Sequence, residues 1–338
     1  MLRLPRFRYL EPRTVDEAVR LWADAAPNAA YVAGGTDLYP NMKRRQQTPA
    51  TVIALHRIPE LRVIAGTPQT GMTIGACVSL TELASHDVMR PSYPAVAHAA
   101  HVVSTPILRN MGTIGGNLLL DTRCNYYDQT YEWRKAVDFC MKRDGEICWV
   151  APSSPRCWAV QSSDGVPVAV ALGAEVTLVS VRGTRRIPAA ALYRNDGIEY
   201  LTKSPDELLV AYHLPPLGYP SKTGGGWRAT YRKLRRRDSF DFPVLGVAAR
   251  VDFANDGSVT GARIVLGAVA SYPQDVPAAA EAIVGTRLDD SAIGAAADAA
   301  HRPAKPMDNT DLTLSWRKEM VRVYVQRALQ DIRAQGTS

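Results

Sequence analysis

The sequence predicts an α+β chain of two domains. Its 338 residues amount to about two domains at roughly 100–200 residues each. Strand-like and helix-like segments alternate up to Leu214, and beyond residues 214–226 the order changes to a sheet followed by helices. That stretch, LPPLGYPSKTGGG, is rich in Pro and Gly and marks the boundary, so the expected domains are 1–219 and 220–338.

Each element has its own signature. Residues 14–26 read as an amphipathic helix: Thr14 and Glu17 have the spacing of a capping box, and Val15, Ala18, Val19 and Trp22 share one face. A short strand, AAYVA, runs into Gly34-Gly35-Thr36-Asp37, and further strands are expected at TVIAL and MTIGAC. Ser79 and Glu82 form a second capping box that opens a helix near 80–87, and another helix is expected around 94–104. Ser162-Ser163-Asp164 precedes an apolar helix, VPVAVAL, that ends at Gly173. EVTLVSVRGTRRIP reads as a hairpin with Arg182-Gly183 at its turn. After the boundary, WRATYRKLRRR reads as a strand with one wet face. VLGVAARVDFANDGSVTGARIVLGAV is a hairpin turning at Asn255-Asp256-Gly257. Helices are expected near 276–284, 289–301 and 314–334.

Composition narrows the function classes. With 46% hydrophobic and 22% charged residues the chain is neither disordered, collagen-like nor a coiled coil. It has no run of 18 apolar residues, so no membrane span is expected. The start, MLRLPRFRYLEP, carries Arg but no apolar core of a secretory signal, which favours the cytoplasm. The net charge of +7 raises nucleic acid as a partner, but no zinc-finger, helix-turn-helix or RNP-type pattern accompanies the basic run, and none is expected to bind. Five cysteines are too few for a disulfide scaffold.

Two glycine segments suggest a phosphate-bearing ligand. In Ala33-Gly34-Gly35-Thr36-Asp37-Leu38 the paired glycines follow a strand, and their backbone can approach a phosphate closely. Gly112-Thr113-Ile114-Gly115-Gly116-Asn117 repeats the chemistry. Neither is a dinucleotide fingerprint or a Walker loop. Either alone reads as a plain turn; together they put a pyrophosphate-bearing cofactor level with the plain-turn reading.

The cysteines are unevenly placed. Cys77 lies in a strand and reads as core, whereas Cys124-x15-Cys140-x7-Cys148-x8-Cys157 fall in one window of 34 residues. The sequence from about 121 to 160 is polar and aromatic, without helix or strand periodicity, and reads as an insertion. Zinc sites usually bring paired cysteines from one tight turn, and none occurs here. Wide spacing suits a cubane with one thiolate per iron better, so an iron–sulfur cluster leads, with zinc and free thiols as the alternatives. His98 and His101 lack a completing carboxylate and read as structural. Asp164 is either a helix cap or an acceptor for a ligand's hydroxyls, and Lys233 in the basic strand is a candidate for cofactor contact.

YVAGGTDL, RNMGTIGGNLL, SSDGVPVAVALGA and YRKLRRRDSFDFPVLGVAARV occur in the order found in one family. The chain resembles the flavin-binding subunits of the xanthine dehydrogenase family of molybdenum hydroxylases. The resemblance implies an FAD domain of two α+β subdomains (the PCMH type) and then a smaller antiparallel sheet-plus-helices domain. It also implies that Tyr31, Val32, Ala33, Gly34, Gly35, Thr36, Asp37 and Leu38 line the FAD pyrophosphate site. Val103, Thr113, Gly116 and Asn117 would contact the flavin or its linker, Asp164 its polar groups, and Lys233 the isoalloxazine. No residue is expected to be catalytic by itself.

The cysteine insertion is an addition to the usual pattern. It resembles the 4-hydroxybenzoyl-CoA reductase branch, whose flavin subunit holds a [4Fe–4S] cluster there, which implies Cys124, Cys140, Cys148 and Cys157 as ligands. Flavin subunits of periplasmic aldehyde oxidoreductases carry a differently arranged cluster insertion in the same region. The implied partners are a large molybdenum-cofactor subunit, a small subunit with two [2Fe–2S] clusters, and a ferredoxin-like electron donor. The implied activity is reductive dehydroxylation to benzoyl-CoA, with a flavin subunit of an aldehyde or aromatic-ring hydroxylase as the alternative. A zinc protein with four cysteine ligands, a phosphate-binding surface and no redox role is the alternative of another class.

Overall fold

The computed structural model describes residues 2–217 and 224–336, and the expected boundary between 219 and 220 lies outside them. Three sheets form the frame. The first is parallel, with β1 (Arg8–Leu10), β2 (Ala29–Val32) and β3 (Thr51–Ala54) in the order β1-β3-β2. Half of the expected capping box forms: Thr14 Oγ1 accepts the Glu17 N–H at 3.1 Å and starts the helix Val15–Ala25, while the Glu17 carboxylate reaches one residue further back and accepts the Arg13 N–H at 2.7 Å. Ala18, Val19 and Trp22 turn inward onto the sheet, and all four residues of β3 are buried, as a central parallel strand requires.

The second sheet is antiparallel. It contains β4 (Ile64–Thr67), β5 (Gly71–Gly75), β6 (Glu175–Ser180), β7 (Gly183–Pro188) and β8 (Leu208–Leu214) in the order β4-β5-β8-β6-β7. Its hairpin β6–β7 turns one residue earlier than expected. Ser180 pairs with Gly183, so Val181 and Arg182 are the loop, and Gly183 at φ +130° opens β7. Leu80–Ser85 and Pro94–His101 cover this sheet, the first capped by Ser79 Oγ at 3.1 Å from the Glu82 N–H.

The third sheet is a meander of β9 (Gly224–Leu234), β10 (Leu245–Ala254), β11 (Val259–Gly267) and β12 (Gln274–Asp275). Period two sends its side chains to two different cores. Tyr231, Ala248 and Val265 pack with the helix Gly165–Ala171, while Val247, Ala249, Val251, Ile264 and Leu266 pack with Asp290–His301 and Leu314–Ala334. Gly165–Ala171 is apolar on every side because it lies between the second and third sheets. Arg317 is fully buried in the last helix, yet its guanidinium donates to the carbonyls of Val244, Met307 and Ala268 at 2.6–3.0 Å, so the charge is hydrogen-bonded throughout. No helix among the described residues is long and apolar enough to cross a membrane.

Candidate functional site

A cleft of about 560 Å³ opens where β2 ends, between the parallel sheet, the Ile114–Leu118 helix and the chain after β9. Crevices at the carboxyl ends of parallel strands are the usual ligand sites of such sheets, and this volume suits a cofactor. All of residues 31–38 line it, as do Val103, Thr113, Gly116, Asn117 and Asp164. Lys233 is not on the wall and reaches the cleft through Asp164.

The glycines have unequal duties. A Cβ on Gly34 would lie 1.7 Å from the Met111 carbonyl oxygen, so this residue lets the first glycine turn pack against the segment leading into the second. Gly35 has φ +71°, and a Cβ there would meet the Tyr39 ring at 2.4 Å. The second segment is not a loop. Thr113 caps the helix Ile114–Leu118 by accepting the Gly116 N–H at 3.1 Å, so Gly115 and Gly116 form its first turn. Gly115 is needed because Ala76 packs 2.6 Å from where its Cβ would be. The Gly116 N–H is therefore already used, although the residue still lines the cleft.

Asp164 is not a side-chain cap. Ser163 Oγ accepts the Val166 N–H at 3.2 Å and does that work, while Asn117 Oδ1 accepts from Ser163 Oγ at 2.7 Å and from the Gly165 N–H at 2.9 Å. Asp164 instead faces β9, where Tyr231 Oη donates to Oδ1 at 2.8 Å and Lys233 Nζ to Oδ2 at 3.0 Å. Burial raises the Asp164 carboxyl and lowers the Lys233 ammonium from their ordinary values, against the attraction between them. Lys233 also donates to the Val102 carbonyl at 3.0 Å, next to Val103 on the cleft wall.

Several cleft residues escaped sequence reasoning. Arg123 pairs with Asp37 and Asp128 at 3.3 Å each and stacks on the Phe242 ring at 4.0 Å. Phe240 and Phe242 come from DSFDF, a segment with the look of a charged turn, and the Phe240 N–H bonds the Ser104 carbonyl at 3.0 Å to hold it over the cleft. Their signal was two phenylalanines in a polar stretch. Asp37 is pushed up to about 6, chiefly by burial, with Arg123 and Asn41 opposing and Asp121 and Asp128 adding to the rise.

The cysteine window folds against this wall. It holds one short helix, Tyr131–Ala136, capped by Thr130, and all four cysteines are buried and free. Each thiol interacts electrostatically with the other three, and burial raises Cys124 to about 12 and Cys157 to about 11. Burial thus favours the neutral thiol at Cys124, Cys140 and Cys157; a metal centre would supply the charge that thiolates need. Among the described residues no three His, Cys, Asp or Glu side chains are grouped closely enough to hold one metal ion. Cys124, Cys140 and Cys157 share one small buried cluster with Tyr127 and Ala159. Lys142 braces the window from within, donating to Asp121, Thr122 and the Gly197 carbonyl at 2.6–2.8 Å. Cys124 directly follows Arg123, so the cysteine window and the cleft share a wall.

Known proteins match almost the whole length of the chain. Residues 5–217 match the family described as the FAD binding domain in molybdopterin dehydrogenase, and residues 229–332 match the CO dehydrogenase flavoprotein C-terminal domain. The chain is 35% identical over 282 residues to the aldehyde oxidoreductase FAD-binding subunit of Escherichia coli (strain K12), covering 81% of this chain and 84% of that one. It is 28% identical to the carbon monoxide dehydrogenase medium chain of Hydrogenophaga pseudoflava, over 96% of each. A solved structure of carbon monoxide dehydrogenase from Hydrogenophaga pseudoflava superposes with a TM-score of 0.79 at 27% identity, covering 98% of this chain and 99% of that chain. The α+β fold is thus a flavin-binding domain followed by a flavoprotein C-terminal domain. These matches point to a redox flavoprotein and give the zinc-protein alternative no support.

Proposed function

Because this chain belongs to the family of FAD-binding subunits of the molybdopterin dehydrogenases, we propose that it is the electron-transfer subunit of a molybdenum enzyme complex, with FAD in the cleft and a [4Fe–4S] cluster on Cys124, Cys140, Cys148 and Cys157. The observation that carries the reading is the shared wall: Arg123 lines the cleft, and the next residue, Cys124, packs in one buried cluster with Cys140 and Cys157. FAD, when bound, exchanges electrons singly or in pairs and so joins a two-electron site to one-electron carriers. The chain's own residues supply shape and charge. Residues 32–38 would cradle the pyrophosphate, with Gly34 keeping the turn closed against Met111. Thr113 and Asn117 would fix the helix start beside the linker. Asp164, held by Tyr231 and Lys233, would present a rigid polar edge to the flavin, and Phe240 and Phe242 would exclude water from the mouth.

The partners in this reading are a large molybdenum-cofactor subunit and a small subunit with two [2Fe–2S] clusters. For the substrate of the complex we favour an aldehyde, on the 35% identity to the aldehyde oxidoreductase subunit. Electrons would then leave the molybdenum site through this chain to an external acceptor. The second reading, reductive dehydroxylation of 4-hydroxybenzoyl-CoA with a ferredoxin-like donor, rests on the cysteine insertion and reverses the flow. Assaying the assembled complex with aromatic and aliphatic aldehydes, and separately with 4-hydroxybenzoyl-CoA plus a low-potential donor, decides between them. A purified chain without flavin absorbance, iron or sulfide would defeat the whole reading.

A further inference from the structure

The cleft has two ends of different chemistry. One lies beside the core of the second sheet, where Val103 stands and Asp164 is bonded to Tyr231. The other lies in the core of the parallel sheet, where Trp22, Tyr31, Leu55 and Leu208 form an apolar wall. The glycine turn lies between them. Ala33 packs on the parallel-sheet core, while Gly34 abuts Met111, which leads to Ile114 of the other core. A dinucleotide with its pyrophosphate at that turn puts one ring system at each end.

A lysine ammonium enters the apolar end. Lys203 lines the cleft, and its Nζ donates to the Ser204 and Glu207 carbonyls at 3.0 Å each. These two bonds pin the ammonium on the turn ahead of β8 and leave it one further donor. That third N–H has no partner among the described residues. Two polar side chains beside it are engaged elsewhere. The Tyr31 hydroxyl donates to the Asp206 carbonyl at 3.1 Å, and the Glu207 carboxylate accepts from Arg185 Nη2 at 2.8 Å and from the Ser204 N–H at 2.7 Å. Burial pushes the Lys203 ammonium down to about 8, against the pull of Glu207 and Asp206, so near neutral pH it keeps its three donors. An apolar cavity with one placed donor fits a flat ring that offers a nitrogen lone pair.

We propose that Lys203 is a cofactor-binding residue that donates its third N–H to a ring nitrogen of the adenine of FAD, and so favours FAD over the mononucleotide FMN. This deepens the flavin reading of the cleft given above and rests on it. Adenine offers ring nitrogens as acceptors. FMN ends at its phosphate and has no group to place at this end. No bond breaks in the step, so the effect falls on affinity alone.

The test is equilibrium binding of FAD, FMN, ADP and inorganic pyrophosphate to the full chain stripped of flavin, followed by calorimetry and flavin fluorescence. Lys203→Met should weaken FAD and ADP on the order of tenfold, the effect of one hydrogen bond from a charged donor. It should leave FMN and pyrophosphate unchanged. Lys203→Gln can still reach one carbonyl but lacks the third donor. It should show the same selective loss, and it carries the test if the Met variant does not fold. An equal loss for FMN gives Lys203 a merely structural role and overturns the inference. A loss for pyrophosphate moves the contact from the ring to the phosphates and also overturns it, as does wild-type affinity for FAD and ADP in both variants. A wild-type chain that binds neither FAD nor ADP overturns the flavin reading of the cleft, and this inference with it.

Discussion

Asp164 and Lys233 form an ion pair of 3.0 Å in which each side chain is only 3% exposed, and it joins the start of the central helix to the first strand of the third sheet. The two charges come from segments 69 residues apart, so the pair exists only when both domains have closed on each other. Breaking a buried pair from one side leaves an uncompensated charge, which costs about 3–5 kcal/mol. Lys233→Met should therefore destabilise the chain by about that amount, while the double variant Asp164→Asn with Lys233→Met should recover part of the loss. Urea unfolding of the four proteins measures the coupling, and additive losses would show that the pair does not act as a unit.

Gly34 and Gly116 provide a graded test of the cleft. Gly34→Ala places a methyl group 1.7 Å from the Met111 carbonyl, whereas a Cβ on Gly116 meets only Thr113 Oγ1 at 3.2 Å. Overpacking typically costs about 1–3 kcal/mol. Gly34→Ala should lose that stability and most of its flavin. Gly116→Ala should melt close to the wild type and keep most of its flavin. The ratio of flavin to protein absorbance, read beside the melting temperature, checks both. Equal flavin content in the two variants would count against the close approach at Gly34.

Local signals were legible and meeting points were not. Thr14 with Glu17 and Ser79 with Glu82 announced helix starts because a capping box lies within four residues. Asn255-Asp256-Gly257 announced its hairpin for the same reason of range. Gly115 and Gly116 misled because a glycine pair looks the same in a loop and in a helix turn that packs against Ala76. Asp164 looked like a cap because its true partners, Tyr231 and Lys233, arrive from another domain. Arg123 and Phe242 were invisible as a pair, since 118 intervening residues separate them. Period and turn chemistry are local, whereas a cleft wall is assembled by the tertiary fold.

The proposed cluster should be separable from the cleft. On the proposed cluster reading, Cys148→Ser should abolish bound iron and sulfide while most FAD stays, because Gly34 and Gly35 pack on Met111 and Tyr39, and Asp37 meets the window through Arg123 rather than through a cysteine. Without its centre the segment 125–156 has few buried apolar anchors, so limited proteolysis should cut there first. Iron at the wild-type level in Cys148→Ser would remove that residue from the ligand set.

Asp37 should give the flavin-free chain a measurable pH dependence. Its carboxyl rises from 3.8 to about 6 on folding, so the folded chain holds the proton more tightly than the unfolded one. For an acid shifted this way the ionised form costs stability. The cost is fully present above about pH 6 and is relieved as the pH falls towards 3.8. Two units correspond to an effect on the order of 2 kcal/mol for a side chain that still touches the open cleft. From about pH 7 to about pH 5 the wild type should therefore gain melting temperature relative to Asp37→Asn, whose amide does not titrate. With the pyrophosphate beside residues 32–38, the same proton would remove a repulsive charge, and FAD affinity should tighten over that interval in the wild type alone. Parallel pH profiles for the two proteins would show that the Asp37 carboxyl titrates as it does in the unfolded chain.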